Sequence, residues 1–115
     1  MFLLIDGDRV GDHFDLLASG NLVDEYRRLS TLVDEEREDV CCLVSRHPEA
    51  VIILSAADTI LAEVPAEFEC PIGGFTTDRF SWSAGLGPDL RTAQAALAAA
   101  KALGRGQVVA ITSAV

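Results

Sequence analysis

The chain opens with a continuous apolar run, residues 2–5, that ends at Asp6, Gly7 and Asp8. A short apolar run closed by acids and glycine is typical of a central strand that leads into a turn. The carboxylates are therefore expected at the end of a buried strand, at one edge of a sheet. This segment constrains the fold most, because it predicts both where the first strand lies and which groups it presents.

Two further apolar patterns predict a long helix and a hairpin. In residues 21–46 the apolar side chains recur at helical intervals. The charged stretch 34–39 either lies on the outer face of that helix or marks a break into two helices. Residues 50–54 and 60–64 are short apolar segments around a polar turn, and they predict a hairpin with Asp58 at its tip.

The last part of the chain predicts a loop followed by a strand, a helix and a strand. Residues 66–79 contain Pro and Gly and predict an irregular loop. Residues 80–86 and 107–111 predict strands. The helix between them is expected to end at Gly104, where the missing side chain allows a left-handed cap. The predicted order of strand, helix, hairpin, strand, helix and strand indicates an α+β fold.

One domain, residues 1–115, accounts for the whole sequence. A chain of 115 residues, half of them hydrophobic, can bury about two thirds of its unfolded surface in one core. No apolar run approaches the roughly 20 residues of a membrane span. The three cysteines form neither a disulfide framework nor a paired metal motif. These features favour a cytoplasmic protein without membrane attachment.

The net charge excludes one class of partner. Nine Lys and Arg against eighteen Asp and Glu give a net charge of −9, and a mostly negative surface repels polyanions. Stable binding of DNA or RNA is therefore not expected. A small anionic ligand remains compatible, because a few well-placed cations and divalent metals reverse the potential in one cleft.

Asp6 and Asp58 carry the candidate chemistry. If the first strand and the hairpin are neighbours in one sheet, these carboxylates meet and, with the carbonyl of Gly7, offer hard oxygen ligands to Mg²⁺ or Mn²⁺. Asp8 is a further candidate ligand. Two such ions would activate a ribose hydroxyl and bridge a triphosphate during in-line displacement. Taken singly, each acid is equally compatible with an ordinary turn-forming role.

Lys101 and Arg105 are candidate phosphate contacts near the end of the last predicted helix. A spacing of four residues places them on one face of its last turn and its cap, where cations also oppose the negative end of the helix dipole. They would grip the β- and γ-phosphates of a nucleotide. The alternative is that both are ordinary solvated cations, which are common at helix ends.

Three segments together resemble the palm domains of GGDEF diguanylate cyclases, of the polymerase subunit of type III CRISPR complexes and, above all, of stand-alone minimal CRISPR polymerases. The first metal motif of the CRISPR palm resembles residues 6–11, DGDRVG. The hairpin that carries GGDEF or GGDD is similar to residues 54–65, LSAADTILAEVP. The strand, helix, AK and GR pattern of GGDEF domains is similar to residues 83–87, SAGLG, followed by residues 93–106, AQAALAAAKALGRG.

This resemblance implies a ferredoxin-like palm, an antiparallel sheet with helices packed on one face. It implies catalysis by Asp6 and Asp58, metal binding by these two residues and the carbonyl of Gly7, and phosphate contacts from Lys101 and Arg105. The implied activity joins ATP or related triphosphates into cyclic di- or oligonucleotide messengers for antiviral signalling. A cyclic nucleotide-responsive effector is then the expected downstream partner.

The hairpin tip departs from the family pattern at three candidate substrate-binding positions. Ala56 and Ala57 replace a glycine pair, and their methyl groups narrow the approach of a nucleotide. Thr59 replaces the second acid, so a second metal depends more on Asp6, Asp8 or the substrate. A homodimer is also expected, because two nucleotides must meet and a palm of this size lacks a domain that forms the opposite wall.

Two alternatives remain. Residues 6–10 also fit the DxDxV motif of haloacid-dehalogenase-type phosphatases, but that chemistry needs acids after its lysine, and residues 101–115 contain no Asp or Glu. The other alternative is a non-catalytic palm module that binds nucleotide or dimerises, with the altered hairpin as a degenerate site. Nucleotide turnover distinguishes this module from an enzyme.

Overall fold

The structure, a computed structural model, describes residues 1–71 and 80–112. Most of the loop predicted at residues 66–79 therefore lies outside the described residues. The elements are β1 (Phe2–Gly7), α1 (Val10–Ser19), α2 (Val23–Ser45), β2 (Val51–Ala56), β3 (Thr59–Glu63), β4 (Trp82–Gly87), α3 (Leu90–Ala102) and β5 (Val108–Ala110). Five strands and three helices confirm the predicted α+β class.

The strands form one sheet in the order β2-β3-β1-β4-β5. β1 is central, as its apolar run predicts, and pairs antiparallel with β3 and with β4. β5 runs parallel to β4. Because β3 and β4 flank β1, the end of β1 lies directly beside the hairpin that joins β2 and β3 and beside the start of β4.

The main core lies between one face of the sheet and α2. The register places Leu3 and Ile5 of β1 on this face, beside residues of β3 and β4. They cluster with Val40 and Val44 of α2, and all four side chains are almost completely buried. The Val40 and Val44 spacing is one helical turn, which is why the predicted apolar stripe of α2 faces the sheet.

α3 packs against the opposite face of the sheet. Gly85 pairs with Leu4 of β1, so it points away from the face that Leu3 and Ile5 occupy. A Cβ on Gly85 would lie 2.3 Å from the carbonyl oxygen of Ala93 in α3. The palm-like class is confirmed, but the expectation that the helices share one face is wrong, because the glycines of β4 let α3 approach the second face.

Two details of the helices differ from the predicted order. Sequence analysis missed α1, whose side chains are mostly exposed and in which Val10 alone is buried. Asp12 lies in the first turn of this helix. α2 is continuous over its 23 residues, so the charged stretch 34–39 does not break it.

The ends of α3 follow sequence rules. Asp89 caps its first turn by accepting a hydrogen bond from the Thr92 amide at 2.7 Å, as Asp does at helix starts. The helix ends at Ala102, and Gly104 follows with a φ of +121°, close to the predicted end. Among residues 1–71 and 80–112, no helix combines the length and the apolar character needed to cross a membrane.

Candidate active site

The tip of the β2–β3 hairpin lies against the end of β1 and brings Asp58 beside Asp6. In the β1–β3 register, Asp6 is opposite Thr59, whose hydroxyl donates to Oδ1 of Asp6 at 3.1 Å. The Gly7 amide donates to the carbonyl oxygen of Asp58 at 2.9 Å. A Cβ on Gly7 would lie 3.2 Å from the Cβ of Asp58. The two acids are thus diagonal neighbours at one end of the sheet.

The Asp58 carboxyl senses the charge of Asp6. Partial burial raises the pKa of Asp58 above its ordinary value, and the negative charge of Asp6 raises it further. The backbone hydrogen bond and the Lys101 ammonium oppose this rise. Since two carboxylates that repel each other are both stabilised by a cation between them, this end of the sheet favours a bound cation.

A cation from α3 already lies at this position. The Nζ atom of Lys101 donates to Oδ2 of Asp6 at 2.6 Å and to the carbonyl oxygen of Gly7 at 3.4 Å. These are two of the oxygen atoms that sequence analysis assigned to a metal. The site therefore offers cation-binding oxygens, and Lys101 neutralises the charge of Asp6.

Asp8 has a different environment from the other two acids. It is 6% exposed, and its carboxylate accepts hydrogen bonds from the Ser81 hydroxyl at 2.5 Å, from the Ser83 hydroxyl at 2.7 Å and from the Gly106 amide at 2.8 Å. Both oxygens of Asp8 are thus engaged within the protein. Asp8 joins the end of β1 to β4 and to the segment that follows α3.

Arg105 lies in that segment and not in the helix. It lies beyond the end of α3 with a φ of +65°, so the helical spacing from Lys101 that sequence analysis used does not apply. Its amide donates to the carbonyl of Ala100 at 3.2 Å. Because Gly106 is bonded to Asp8, the backbone of Arg105 is anchored next to the end of β1.

A cavity of about 190 Å³ lies beside Asp58. Its apolar wall comes from α1 and α2, and its polar groups come from α2 and from Asp58 itself. The residues that define it are Val10, Phe14, Val33, Ser30, Asp34 and Ala57. An apolar cleft with a few polar groups next to a charged site is the usual form of a small-ligand pocket.

The sequence comparisons identify the family. A family model for the minimal CRISPR polymerase domain matches residues 2–111. The chain belongs to the minimal CRISPR polymerase family. No curated protein and no solved structure matches the chain. Membership identifies the chain as a CRISPR-associated, polymerase-like domain and confirms the resemblance seen in the sequence. It argues against the phosphatase alternative.

The matched region of this minimal CRISPR polymerase domain contains all of the predicted site residues. The structure brings Asp6, Gly7, Asp58 and Lys101 together, and it places Asp8 and the Arg105 backbone directly beside them. Thr59, which replaces the second acid of the family hairpin, donates a hydrogen bond to Asp6. Ala56 and Ala57 form the hairpin tip, where Ala57 lines the cavity.

In the described part of this minimal CRISPR polymerase domain, few groups at the site could hold a metal ion. Among residues 1–71 and 80–112, no three His, Cys, Asp or Glu side chains are grouped closely enough to hold one metal ion. The groups that could hold one are the carboxylates of Asp6 and Asp58 and the carbonyl of Gly7. The remaining ligands would be substrate phosphate and water, as is usual for Mg²⁺.

Sequence analysis missed one residue that shapes this site, Arg37 of α2. Its guanidinium donates from Nη1 to the carbonyl oxygen of Ala57 at 2.7 Å and from Nε to the Ser55 hydroxyl at 3.0 Å. Position 37 lies one helical turn from Val33 and from Cys41, within the stripe that faces the sheet. That spacing was the signal, but the surrounding charges in the sequence indicated an exposed helix face.

Proposed function

We propose that residues 1–115 form one palm-type nucleotidyltransferase domain, which joins nucleoside triphosphates, ATP in the first instance, into a cyclic di- or oligonucleotide messenger. The proposal includes a cytoplasmic role in antiviral signalling and a cyclic nucleotide-responsive effector. Membership of the minimal CRISPR polymerase family supports a polymerase-like reaction. The single observation that carries the proposal is that Asp58 lies beside Asp6, whose carboxylate binds the Lys101 ammonium together with the Gly7 carbonyl.

Each residue has a proposed task. Asp6, Asp58 and the Gly7 carbonyl hold divalent metal, Mg²⁺ or Mn²⁺, which when bound favours ionisation of a ribose hydroxyl and neutralises phosphate charge. Lys101 and Arg105 bind the β- and γ-phosphates. In a chain with a net charge of −9, these cations supply the local positive potential that a triphosphate requires.

The rest of the site is proposed to bind and orient the nucleoside. The cavity beside Asp58 takes the base and ribose between apolar side chains and the polar groups of Ser30 and Asp34. Ala56, Ala57 and Thr59 line the approach at the hairpin tip. Asp8 is left out of the proposed ligand set, because its oxygens already accept three hydrogen bonds.

The test is direct synthesis. The protein is incubated with each nucleoside triphosphate and Mg²⁺ or Mn²⁺, and products are identified by mass spectrometry and linkage-specific nucleases. Asp6→Asn and Asp58→Asn are expected to abolish product and pyrophosphate release, whereas Asp12→Asn, on the exposed first turn of α1, is expected to retain both. If all products made by the unchanged protein are hydrolysed or linear, cyclic synthesis is contradicted.

A non-catalytic nucleotide-binding or dimerising module is the second candidate, and one observation favours it. Thr59 occupies the position of a family acid and its hydroxyl bonds to Asp6, so the hairpin brings one carboxylate where the larger families bring two. Calorimetric binding of a triphosphate with no pyrophosphate release, in both Mg²⁺ and Mn²⁺, would establish this candidate over the enzyme.

The proposal also includes a homodimer with composite sites. The acids, Lys101 and the cavity bind one nucleotide, and a second must approach from outside the domain for two to be joined. Light scattering with nucleotide and Mg²⁺ is expected to give twice the mass of the chain. A strict monomer under conditions that support synthesis would contradict the composite site.

A further inference from the structure

Arg37 connects α2 to the hairpin tip that carries Asp58. Its side chain is 12% exposed. It donates to the carbonyl oxygen of Ala57 at 2.7 Å, to the Ser55 hydroxyl at 3.0 Å and to Oδ1 of Asp34 at 2.7 Å. One guanidinium thus bonds to the tip of the hairpin, to strand β2 and to the wall of the cavity.

The backbone at the tip needs such support. Ala57 has a φ of +50°, a left-handed conformation that costs a residue with a side chain about 1–2 kcal/mol. Two-residue hairpin loops favour glycine, asparagine or aspartate at such positions. Here alanine occupies the position, so interactions outside the turn must hold its conformation. The bond from Arg37 to the Ala57 carbonyl acts directly on this peptide.

The contacts of Arg37 are more than a surface ion pair. An exposed pair with Asp34 three residues away on the same helix would contribute little. The bond to Ala57 instead spans 20 residues of sequence and is made by a largely buried charged donor, which strengthens the hydrogen bond. Asp58 directly follows Ala57, so the orientation of its carboxylate depends on the same peptide.

We infer that Arg37 is a positioning residue: by holding Ala57 in its left-handed conformation, it keeps Asp58 against the end of β1. Its contribution to metal binding and synthesis rests on the proposed function. Its effect on the hairpin does not, because the Gly7 amide that bonds to the Asp58 carbonyl reports the position of the tip in the protein alone.

The test compares amide hydrogen exchange in the unchanged protein and in Arg37→Gln, without metal or nucleotide. Exchange at Gly7 is expected to rise by about tenfold or more relative to Ile5, an amide of the same strand, as the tip leaves β1. Arg28→Gln is the matched control, since Arg28 lies on the same helix with a 77% exposed side chain. An unchanged ratio of Gly7 to Ile5 exchange overturns the inference.

A second substitution separates positioning from general destabilisation. Glycine adopts a positive φ without the cost that alanine bears, so adding Ala57→Gly to Arg37→Gln should restore most of the protection at Gly7. A merely destabilised protein would not recover in this way. Failure of the double variant to regain any protection would overturn the role assigned to the Ala57 conformation.

Metal binding and synthesis provide the functional readout. Loss of residues that orient metal ligands typically costs about 10–100-fold in metal affinity or activity, and Arg37→Gln is expected to weaken Mn²⁺ binding within that range, with Arg28→Gln unaffected. If the unchanged protein makes no product but the exchange results hold, the proposed function fails and the positioning role stands. If the unchanged protein makes product but Arg37→Gln alters neither Mn²⁺ affinity nor synthesis, the positioning role fails while the proposed function stands.

Discussion

The Lys101 ammonium lies 2.6 Å from Oδ2 of Asp6, so a side chain from the last turn of α3 neutralises the acid at the end of β1. The same nitrogen is 3.4 Å from the Gly7 carbonyl oxygen. A divalent ion that uses these oxygens must share the position with Lys101 or displace it. Under the proposed function, a displaced Lys101 would then meet the phosphates of the nucleotide.

Lys101→Met is expected to expose this competition. Removing a partly buried ion pair should lower the free energy of unfolding by about 1 kcal/mol without metal. Mg²⁺ should then raise the melting temperature of the variant more than that of the unchanged protein, because no ammonium competes for Asp6. Thermal denaturation with and without Mg²⁺ measures both effects, and an equal Mg²⁺ response in the two proteins would contradict them.

Asp58→Asn is expected to stabilise the metal-free protein at neutral pH. Folding raises the pKa of Asp58 above its ordinary value of 3.8, so its stabilising contribution is complete below that value and is lost as the pH rises through the folded pKa. Asparagine cannot ionise and avoids this loss. Chemical denaturation should show a more stable variant at neutral pH and equal stabilities below pH 3.8. A variant that is less stable at neutral pH would contradict the expected direction of the change in stability.

The same raised pKa predicts how metal affinity depends on pH. A proton on Asp58 competes with a divalent ion, so Mn²⁺ binding should weaken as the pH falls through the raised pKa. The loss of Mn²⁺ affinity should begin at a higher pH than it would for an Asp with an ordinary pKa. Titrations of Mn²⁺ at several pH values measure this pH dependence. Asp58→Asn is the control, because it removes the part that comes from protonation of Asp58.

Gly85→Ala is expected to destabilise the contact between β4 and α3. The added Cβ would lie 2.3 Å from both the Ala93 carbonyl oxygen and the Leu97 amide nitrogen, and these backbone atoms cannot move alone. The cost should be about 1–3 kcal/mol or more. Gly11→Ala in α1 is the matched control: its Cβ meets nothing within 4 Å, and alanine should stabilise that helix by about 0.5–1 kcal/mol. Urea denaturation of both variants decides the prediction.

Asp8→Asn is expected to act on stability and on nucleotide binding, not on metal affinity. An amide replaces one acceptor oxygen by a donor, so the hydroxyls of Ser81 and Ser83 and the Gly106 amide lose part of their buried network, at a cost of about 1–3 kcal/mol. Asp12→Asn, in an exposed position, should change stability by less than about 0.5 kcal/mol.

Binding measurements separate the two roles considered for Asp8. If it anchors the backbone beside Arg105, Asp8→Asn weakens triphosphate binding while Mn²⁺ affinity without nucleotide stays within about twofold, and Ser83→Ala gives a similar, smaller effect. If it is a metal ligand, Mn²⁺ affinity falls by roughly 10–100-fold and Ser83→Ala does not reproduce the result.

Local sequence patterns predicted the elements on which the site depends. The apolar run of residues 2–5 and the acids after it predicted β1 and its charged end, and the apolar segments around Asp58 predicted the hairpin. Both signals are strong because each depends only on residues that are close together in the sequence. The family resemblance, confirmed by the match over residues 2–111, supplied the expectation that these two elements meet.

Contacts between distant parts of the chain could not be predicted from those patterns. Sequence analysis grouped Asp8 with the candidate metal ligands, but its environment depends on hydroxyl groups 73 and 75 residues away and on an amide 98 residues away. α1 was missed because a helix that buries little besides Val10 has no strong apolar stripe. The role of Arg37 depends on the conformation of Ala57, which the sequence does not reveal.

The hydrogen bond from Gly106 to Asp8 joins residues 98 positions apart in the chain, so it can form only late in translation. The acids of β1 leave the ribosome first, while their partners Lys101 and Gly106 are made 95 and 98 residues later. A nascent chain that stalls before Lys101 therefore carries Asp6 and Asp58 without their counter-charge. The charged end of the sheet is therefore completed only after Gly106 has been synthesised.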